Sequence, residues 1–429
     1  MKKLFLFLLI LSMACKNPVA EKVSNQETLT LLDSLIETQN YFKLKESFYA
    51  QKDNLSKDHE LYYQAIVLNV FNKLSESNAV IDELLSQSKA KLSDTVLNTL
   101  YNTKLLNHVN LYEYGDAAMA SKYIQENFLQ LNDSSDIENL ENEINIWTSL
   151  KNIPKQEIIK STDVSFPIVK DKVGLFNVDV SINSKTKNFI FDTGANISVI
   201  KKSLVEELGL TFIESNFYVT AFTGQRVDSE LAIANELTIG DLMFKNVVFL
   251  VLNDDDISFP QIDYYINGII GFPVIEAMDE IRISKNDTIS IPKTPIDYNI
   301  NNFALDGLTP IIAVTYKKDS LSFGFDTGAR QTALYEPFFE KYKTEIEENY
   351  TPTTFQSGSG GGFIEFEGYV LDSLHLSVGK SGAWLKDLRL HTNNIGTDVN
   401  HFHGNFGQDF IKQFDEMIIS FKYGSVLFK

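Results

Sequence analysis

Two carboxylates in the same local setting dominate this sequence. Asp192-Thr193-Gly194-Ala195 and Asp326-Thr327-Gly328-Ala329 are one tetrapeptide written twice. Each copy follows an apolar run, Phe189-Ile190-Phe191 in the first and Phe323-Gly324-Phe325 in the second. Ordinary residue usage gives one such Asp-Thr-Gly in roughly one chain in ten of this length, so a second copy is not chance. An apolar strand that ends in Asp and a Gly turn presents a carboxyl group from a firm edge. Two carboxyls brought together divide the work of amide hydrolysis, one activating a water and the other protonating the departing nitrogen. Like charges a few ångströms apart do not both ionise readily, so such a pair holds one proton as a unit.

The surroundings of the two copies repeat as well. The aspartates are 326 − 192 = 134 residues apart, and Gly224 in Phe222-Thr223-Gly224-Gln225 lies 134 before Gly358 in Gln356-Ser357-Gly358-Ser359. Gly268-Ile269-Ile270-Gly271 precedes Gly404-Asn405-Phe406-Gly407 by 136, and Asp279–Ser284 precedes Asp415–Ser420 by 136. Four landmarks in one order mark a tandem duplication. Both units read as short alternating strands separated by Gly, Asn and Asp turns, as in 281–291 and 417–428, with little helical periodicity. The expected class is therefore two tandem all-β lobes, each delivering one aspartate. Gly194 and Gly328 permit the sharp turn beside each carboxyl, and Thr193 and Thr327 have hydroxyls to donate across the interface between lobes. Ser198 with Ile200, and Thr332 with Leu334, extend the shared pattern.

These motifs resemble the aspartic proteases, and the extended pattern is most similar to the retropepsin branch, whose monomers each contribute one Asp-Thr-Gly. The resemblance covers 164–429. It implies a bilobal barrel fold of the retropepsin or pepsin kind, an aspartic endopeptidase activity without cofactor or metal, and a peptide or protein substrate. It implies catalytic roles for Asp192 and Asp326, with Thr193, Gly194, Ala195, Thr327, Gly328 and Ala329 supporting them. Gly268, Ile269, Ile270 and Gly271 resemble the family's second signature, a strand beside the catalytic loop. Gly404 and Gly407 frame its second copy, where Asn405 stands in an apolar position. Phe222, Thr223 and Gly224, and in the second lobe Gly358, occupy the places of substrate-covering flaps. Ala195 and Ala329 replace Ser and remove donors to the carboxyls, which raises the pair's pKa values. Arg330 would depress them if it faced Asp326. The alternative reading is an inactive peptide-binding or scaffold protein on the same lobes.

The rest of the chain reads differently. Lys2 and Lys3 followed by the apolar Leu4 to Leu11 and by Cys15 resemble a bacterial lipoprotein signal over 1–15, which implies export and a lipid anchor on Cys15 in the cell envelope. With a single cysteine no intramolecular disulfide forms. From 26 to 150 the apolar residues follow helical spacing, as in Leu61, Ala65, Leu68 and Phe71. Leu61–Leu85 and the turn Tyr112–Ala118 are similar to tetratricopeptide units, which implies a surface for a protein partner. The stretch 151–163 reads as a linker, 164–295 as the first lobe and 296–429 as the second. A net charge of −19 argues against nucleic acid. The Gly-Ser run Ser357–Gly362 leads into a strand rather than a helix, so it is not a phosphate loop. His401 and His403 could place two imidazoles on one strand face, but only Asp398 and Asp409 stand near as further ligands, and the triple Asp254–Asp256 lacks the alternating ligand and Gly pattern of a calcium site.

Overall fold

The computed structural model describes residues 22–131, 133–220, 226–359, 362–393 and 401–429. A helical region comes first: α1 (Gln26–Glu37), α2 (Tyr41–Gln51), α3 (Lys57–Val70), α4 (Leu74–Ser88), α5 (Asp94–Asn110), α6 (Tyr114–Phe128) and α7 (Ser134–Leu150). Side chains start five of these helices, since Asn25, Asn40, Ser56, Ser93 and Asp133 accept from the backbone N–H of Thr28, Lys43, His59, Val96 and Asp136. The corners α1–α2, α3–α4 and α5–α6 each turn through a left-handed residue, Gln39, Asn72 and Tyr112, with φ of 50°, 58° and 58°. None of the three is Gly, so the same strained corner is accepted three times to close three helical hairpins. Among the described residues no helix is long and apolar enough to cross a membrane.

A β-rich region follows, and its two sheets share a kernel. In the first sheet the strands run side by side in the order Leu242–Leu252, Ser198–Lys201, Gly268–Ile270, Lys185–Phe191, Phe176–Ile182. In the second the order is Ser381–His391, Ala333–Leu334, Gly404–Phe406, Asp319–Phe325, Thr309–Tyr316. Strand senses agree step by step: parallel, antiparallel, parallel, antiparallel in both. The strand that ends in each motif is thus central and buried on both sides, as its apolar run requires. A third sheet ties the halves together. Glu280–Ser284 of one half pairs antiparallel with Glu416–Ser420 of the other, flanked by Thr288–Ile291 with Val164–Pro167 and by Ser425–Phe428.

Two features depart from the sequence reading. Each half carries helices, and the longest, Glu336–Asn349, buries Phe338, Phe339 and Ile346 against the second sheet. These positions do follow helical spacing, and Tyr342, one turn after Phe338, packs on the same core although its φ of −118° kinks the helix. Within the stretch read as linker, Glu157–Ile159 forms a strand on the edge of the first sheet, paired with Leu242–Leu252.

The helical region lies directly on the sheets. Asn142 of α7 brackets the backbone of Tyr218, donating to its carbonyl (2.8 Å) and accepting from its N–H (3.0 Å). Tyr112 donates to the Pro273 carbonyl (2.8 Å), and Tyr41 to Asp306 (2.9 Å). Asn72 donates to Glu276 Oε1 (2.5 Å). Burial pushes the Glu276 carboxyl from its ordinary 4.5 up to about 7, opposed by the Asn72 bond and assisted by Asp279. A folded-state value above the unfolded one means that this group's contribution is complete below about pH 4.5 and is lost as pH rises through 7. Glu276→Gln is therefore expected to remove part of the pH dependence of unfolding. Between pH 5 and 8 the wild-type melting temperature should fall by about 3 °C more than that of the variant. Parallel melting curves would contradict this.

Candidate active site

The two Asp-Thr-Gly turns meet face to face. Thr193 Oγ1 donates to the Phe325 carbonyl (2.9 Å) and Thr327 Oγ1 to the Phe191 carbonyl (3.0 Å). Each hydroxyl also accepts from the other threonine's N–H, both at 3.0 Å. Both side chains are completely buried. Four hydrogen bonds, related by the pseudo-twofold of the duplication, therefore pin one turn to the other and leave none of these buried polar groups unpaired.

That clamp brings the carboxyls across from the opposing glycines. A Cβ built on Gly194 would lie 2.7 Å from Asp326 Cγ, and one on Gly328 would lie 2.3 Å from Asp192 Cγ. The glycines are needed here for close approach rather than for a special φ. Each carboxyl also accepts from its own turn: Gly194 N–H donates to Asp192 Oδ1 (2.7 Å) and Ala329 N–H to Asp326 Oδ1 (2.8 Å). Burial pushes the Asp192 carboxyl well above the usual carboxylate range. The charge of Asp326, and the hydrogen bond that a protonated Asp192 gives it, add to the rise, while the Gly194 and Gly328 amides oppose it.

The second signature braces these turns in both halves. Asp192 N–H donates to the Ile270 carbonyl (3.0 Å) and Asp326 N–H to the Phe406 carbonyl (3.1 Å). Ser198 Oγ accepts from Gly271 N–H (3.0 Å) and Thr332 Oγ1 from Gly407 N–H (3.1 Å). Gly268 and Gly404 are packed so tightly against Phe189 and Phe323 that a Cβ would fall 2.5 Å from a ring carbon. Ile269 pairs in register with Ile190, and Ile270 with Phe191.

Three residues of the site are not evident from the sequence. Asn405 Nδ2 donates to Asp326 Oδ2 (3.0 Å). Gln408, fully buried, donates to the Thr327 carbonyl (2.7 Å) where the first half has Phe272. Asp409 accepts from both the N–H (2.9 Å) and the hydroxyl (2.7 Å) of Thr332. The 136-residue offset already set Asn405, Gln408 and Asp409 opposite Ile269, Phe272 and Pro273, and that exchange of apolar for polar types was the available signal. Arg330 is exposed, and among the described residues no ion pair joins it to Asp326.

Other predicted positions fall elsewhere. Phe222, Thr223, Gly224 and Cys15 lie outside the described residues, and so does the tip of the second hairpin. The strands Thr211–Thr220 and Arg226–Ile239 lead into and out of the first flap position. Gly358 pairs with Phe363 in the second hairpin, Thr353–Ser359 with Gly362–Val378. His401 Nε2 approaches Asp306 (2.8 Å), whereas His403 Nδ1 accepts from Ser322 N–H (3.4 Å), so the two imidazoles serve separate partners. Among the described residues, His108, Glu113 and Asp116 are the group whose ligand atoms come within 4.8 Å of one another. Glu113 there already pairs with Lys155 (2.5 Å) and His108 (2.6 Å), and nothing connects the group to the aspartates.

Both halves present their carboxyl-bearing face to the helical region. In the second half Asn405 marks this face, and Ile311, Tyr335 and Phe402 on it form one apolar cluster with Tyr41, Phe48, Val67 and Phe71. In the first half Ile269 holds the equivalent position. There Val199, Leu250 and Val248 form one cluster with Val109, Tyr114, Leu140 and Trp147, with Ile269 and Ile197 packed at its edge. The pairing Ile269↔Val199 and Val199↔Leu250 places these residues on strands next to the motif.

A family model described as aspartyl protease matches residues 178–274, which hold Asp192 and Gly268–Gly271. The chain contains an aspartic protease-like domain; Asp326 lies beyond the matched span. Similar solved structures include basic 7S globulin from soybean, at 10% identity and TM-score 0.41, covering 63% of this chain and 95% of that one. Conglutin gamma, a basic 7S globulin from lupine seeds, is similar at 9% identity and TM-score 0.39, with 62% and 94% covered. No curated protein matches the sequence.

Proposed function

We propose that this chain is an aspartic endopeptidase in which Asp192 and Asp326 share one proton and together activate a water against a peptide carbonyl. One observation carries the reading: two carboxyls from duplicated turns face each other, clamped by the reciprocal bonds of Thr193 and Thr327. In this mechanism the ionised member takes a proton from the water as it attacks. The protonated member gives its proton toward the carbonyl oxygen, and the amine later leaves with a proton returned through the pair. No metal or cofactor has a step in it. The two hairpins would close over an extended peptide and hold its scissile bond in place.

The wider assignment belongs to the same proposal. The fold would be two retropepsin-like barrel lobes over 164–295 and 296–429, and the helical region a set of tetratricopeptide-like units. The thrice-repeated left-handed corner supports the latter reading. Export with a lipid on Cys15 would place the enzyme in the cell envelope, with its helical region free to take a protein partner.

Digestion of a peptide library, read by mass spectrometry, tests the activity, and wild type should cut within chains rather than at their ends. The pH profile is a second test. A rate that needs the singly protonated pair rises as the first carboxyl ionises and falls as the second does. The raised Asp192 moves the falling limb to higher pH, so the optimum is expected to be mildly acidic to neutral. A profile that peaks below about pH 3 would count against the assignment.

A further inference from the structure

The two halves differ at one register pair directly beside the carboxyls. In the first half Ile190, two residues before Asp192, lies opposite Ile269. In the second half the equivalent pair is Gly324 opposite Asn405. Both members changed together, and the reason is steric. A Cβ on Gly324 would lie 2.8 Å from Asn405 Oδ1, so a side chain there would displace the amide. With Gly324 in place the amide folds over the strand, its oxygen toward Gly324 and its nitrogen 3.0 Å from Asp326 Oδ2. Facing a carboxylate, an amide has one useful orientation, N–H outward, and this is the one adopted.

As a result the carboxyls differ in the kind of donor they meet: a side-chain amide reaches Asp326 alone. Asp326 accepts at both oxygens, from Ala329 N–H at Oδ1 and from Asn405 at Oδ2. Asp192 meets backbone amides alone, Gly194 N–H at Oδ1 and the Gly328 amide from the other turn, and Ile269, where an amide stands in the other half, has no side-chain donor to offer. Donors to a carboxyl favour its ionised form. We infer that Asn405 is a positioning residue that makes the pair unequal, holding Asp326 as the carboxylate and leaving the shared proton on Asp192. This rests on the pair being the peptidase's acid and base, and it deepens that reading by giving each aspartate one starting role. Asp326 is the member that accepts the water's proton, and Asp192 is the member that protonates the substrate carbonyl oxygen.

Neighbouring charged and titratable groups do not supply the asymmetry. Arg330, on the turn after Asp326, is exposed and unpaired with it. Tyr335 faces Asp326, but burial, with the carboxylate's charge adding to it, drives its hydroxyl far above its ordinary value and keeps it neutral. Asp409, from the helix Gln408–Ile411, is bound to Thr332. On the first half the adjoining helix Phe272–Glu276 contributes Phe272 and Pro273, and the charge that acts on Asp192 is that of Asp326.

The test is a titration that needs no substrate. The full chain labelled with 13C at the aspartate carboxyl carbon is followed by NMR from pH 2 to 9, with Asp192→Asn and Asp326→Asn used to assign the two steps. The first step to ionise should belong to Asp326. Asn405→Leu should raise that step by about one pH unit or more, the scale of one hydrogen bond to a charged group. Gly324→Ala, which leaves the amide present but moves it, should shift the same step in the same direction, and Asn405→Ser covers a Leu variant that fails to fold. The acidic limb of kcat/KM should follow the titrated step. A first step that belongs to Asp192, or one that stays put in every variant that folds, would overturn the inference. Absence of cleavage by wild type at any pH would instead refute the endopeptidase reading, while the titration would still decide the role of Asn405.

Discussion

Replacing either Asp192 or Asp326 by Asn is expected to lower kcat/KM for peptide cleavage by about 1,000-fold or more. The substitutions are nearly isosteric, and an Asn oxygen can still accept from Gly194 or Ala329 N–H, so the turn should keep its shape. What disappears is the proton traffic. A pair with one amide can no longer hold a proton on one side and a charge on the other. Losses at the two sites should also be strongly non-additive, since either change disables the same unit. Folding gives the control. Asp192→Asn removes a buried acid whose ionisation is costly, so its stability should equal or exceed that of wild type above neutral pH. Cleavage at near wild-type rate by either variant, measured in single turnover on a purified protein, would end the shared-pair mechanism.

Gly328→Ala is expected to be nearly as damaging without removing any functional group. The added methyl carbon would occupy space 2.3 Å from Asp192 Cγ and 2.4 and 2.5 Å from its oxygens. Those atoms belong to a short side chain anchored at the end of a central strand, so the carboxyl can yield only by leaving the Gly194 N–H or by pushing the turns apart. Either movement misplaces the reacting group by about an ångström, which is worth on the order of 100-fold in rate. Overpacking should also lower stability by about 1–3 kcal/mol. The expected signature is a fall in kcat well beyond any change in KM, alongside a modest loss in denaturant midpoint. A fully active Gly328→Ala enzyme would show that Asp192 is not held against that turn when it works.

The sequence was most informative where the duplication repeated itself. Offsets of 134 and 136 residues pointed to equivalent strands, and the structure has those strands in one order with one set of senses in both halves. Local chemistry was also readable, because a Gly or a Thr beside each aspartate has few other uses. The tertiary contributions were hidden. Glu157–Ile159 becomes a strand only because Leu242–Leu252 offers it an edge, and nothing within three residues announces that. The helix Glu336–Asn349 did carry an apolar stripe, Phe338, Phe339, Tyr342 and Ile346, but a single such stripe stood among segments that read as strands. Asn405 looked like a weakened signature. Its value depends on Gly324, 81 residues earlier in the chain, and on a register that exists only after folding.

The sheet that joins Glu280–Ser284 to Glu416–Ser420 has a consequence for how the protein can evolve. An enzyme assembled from two identical chains must receive every mutation twice, once on each side of its axis. Here both sides are encoded separately and welded by that sheet, so a change can arise on one side and be judged there. Gly324 with Asn405 is a change of this kind. A homodimer could adopt it only by giving both carboxyls the same donor, which would cancel the difference.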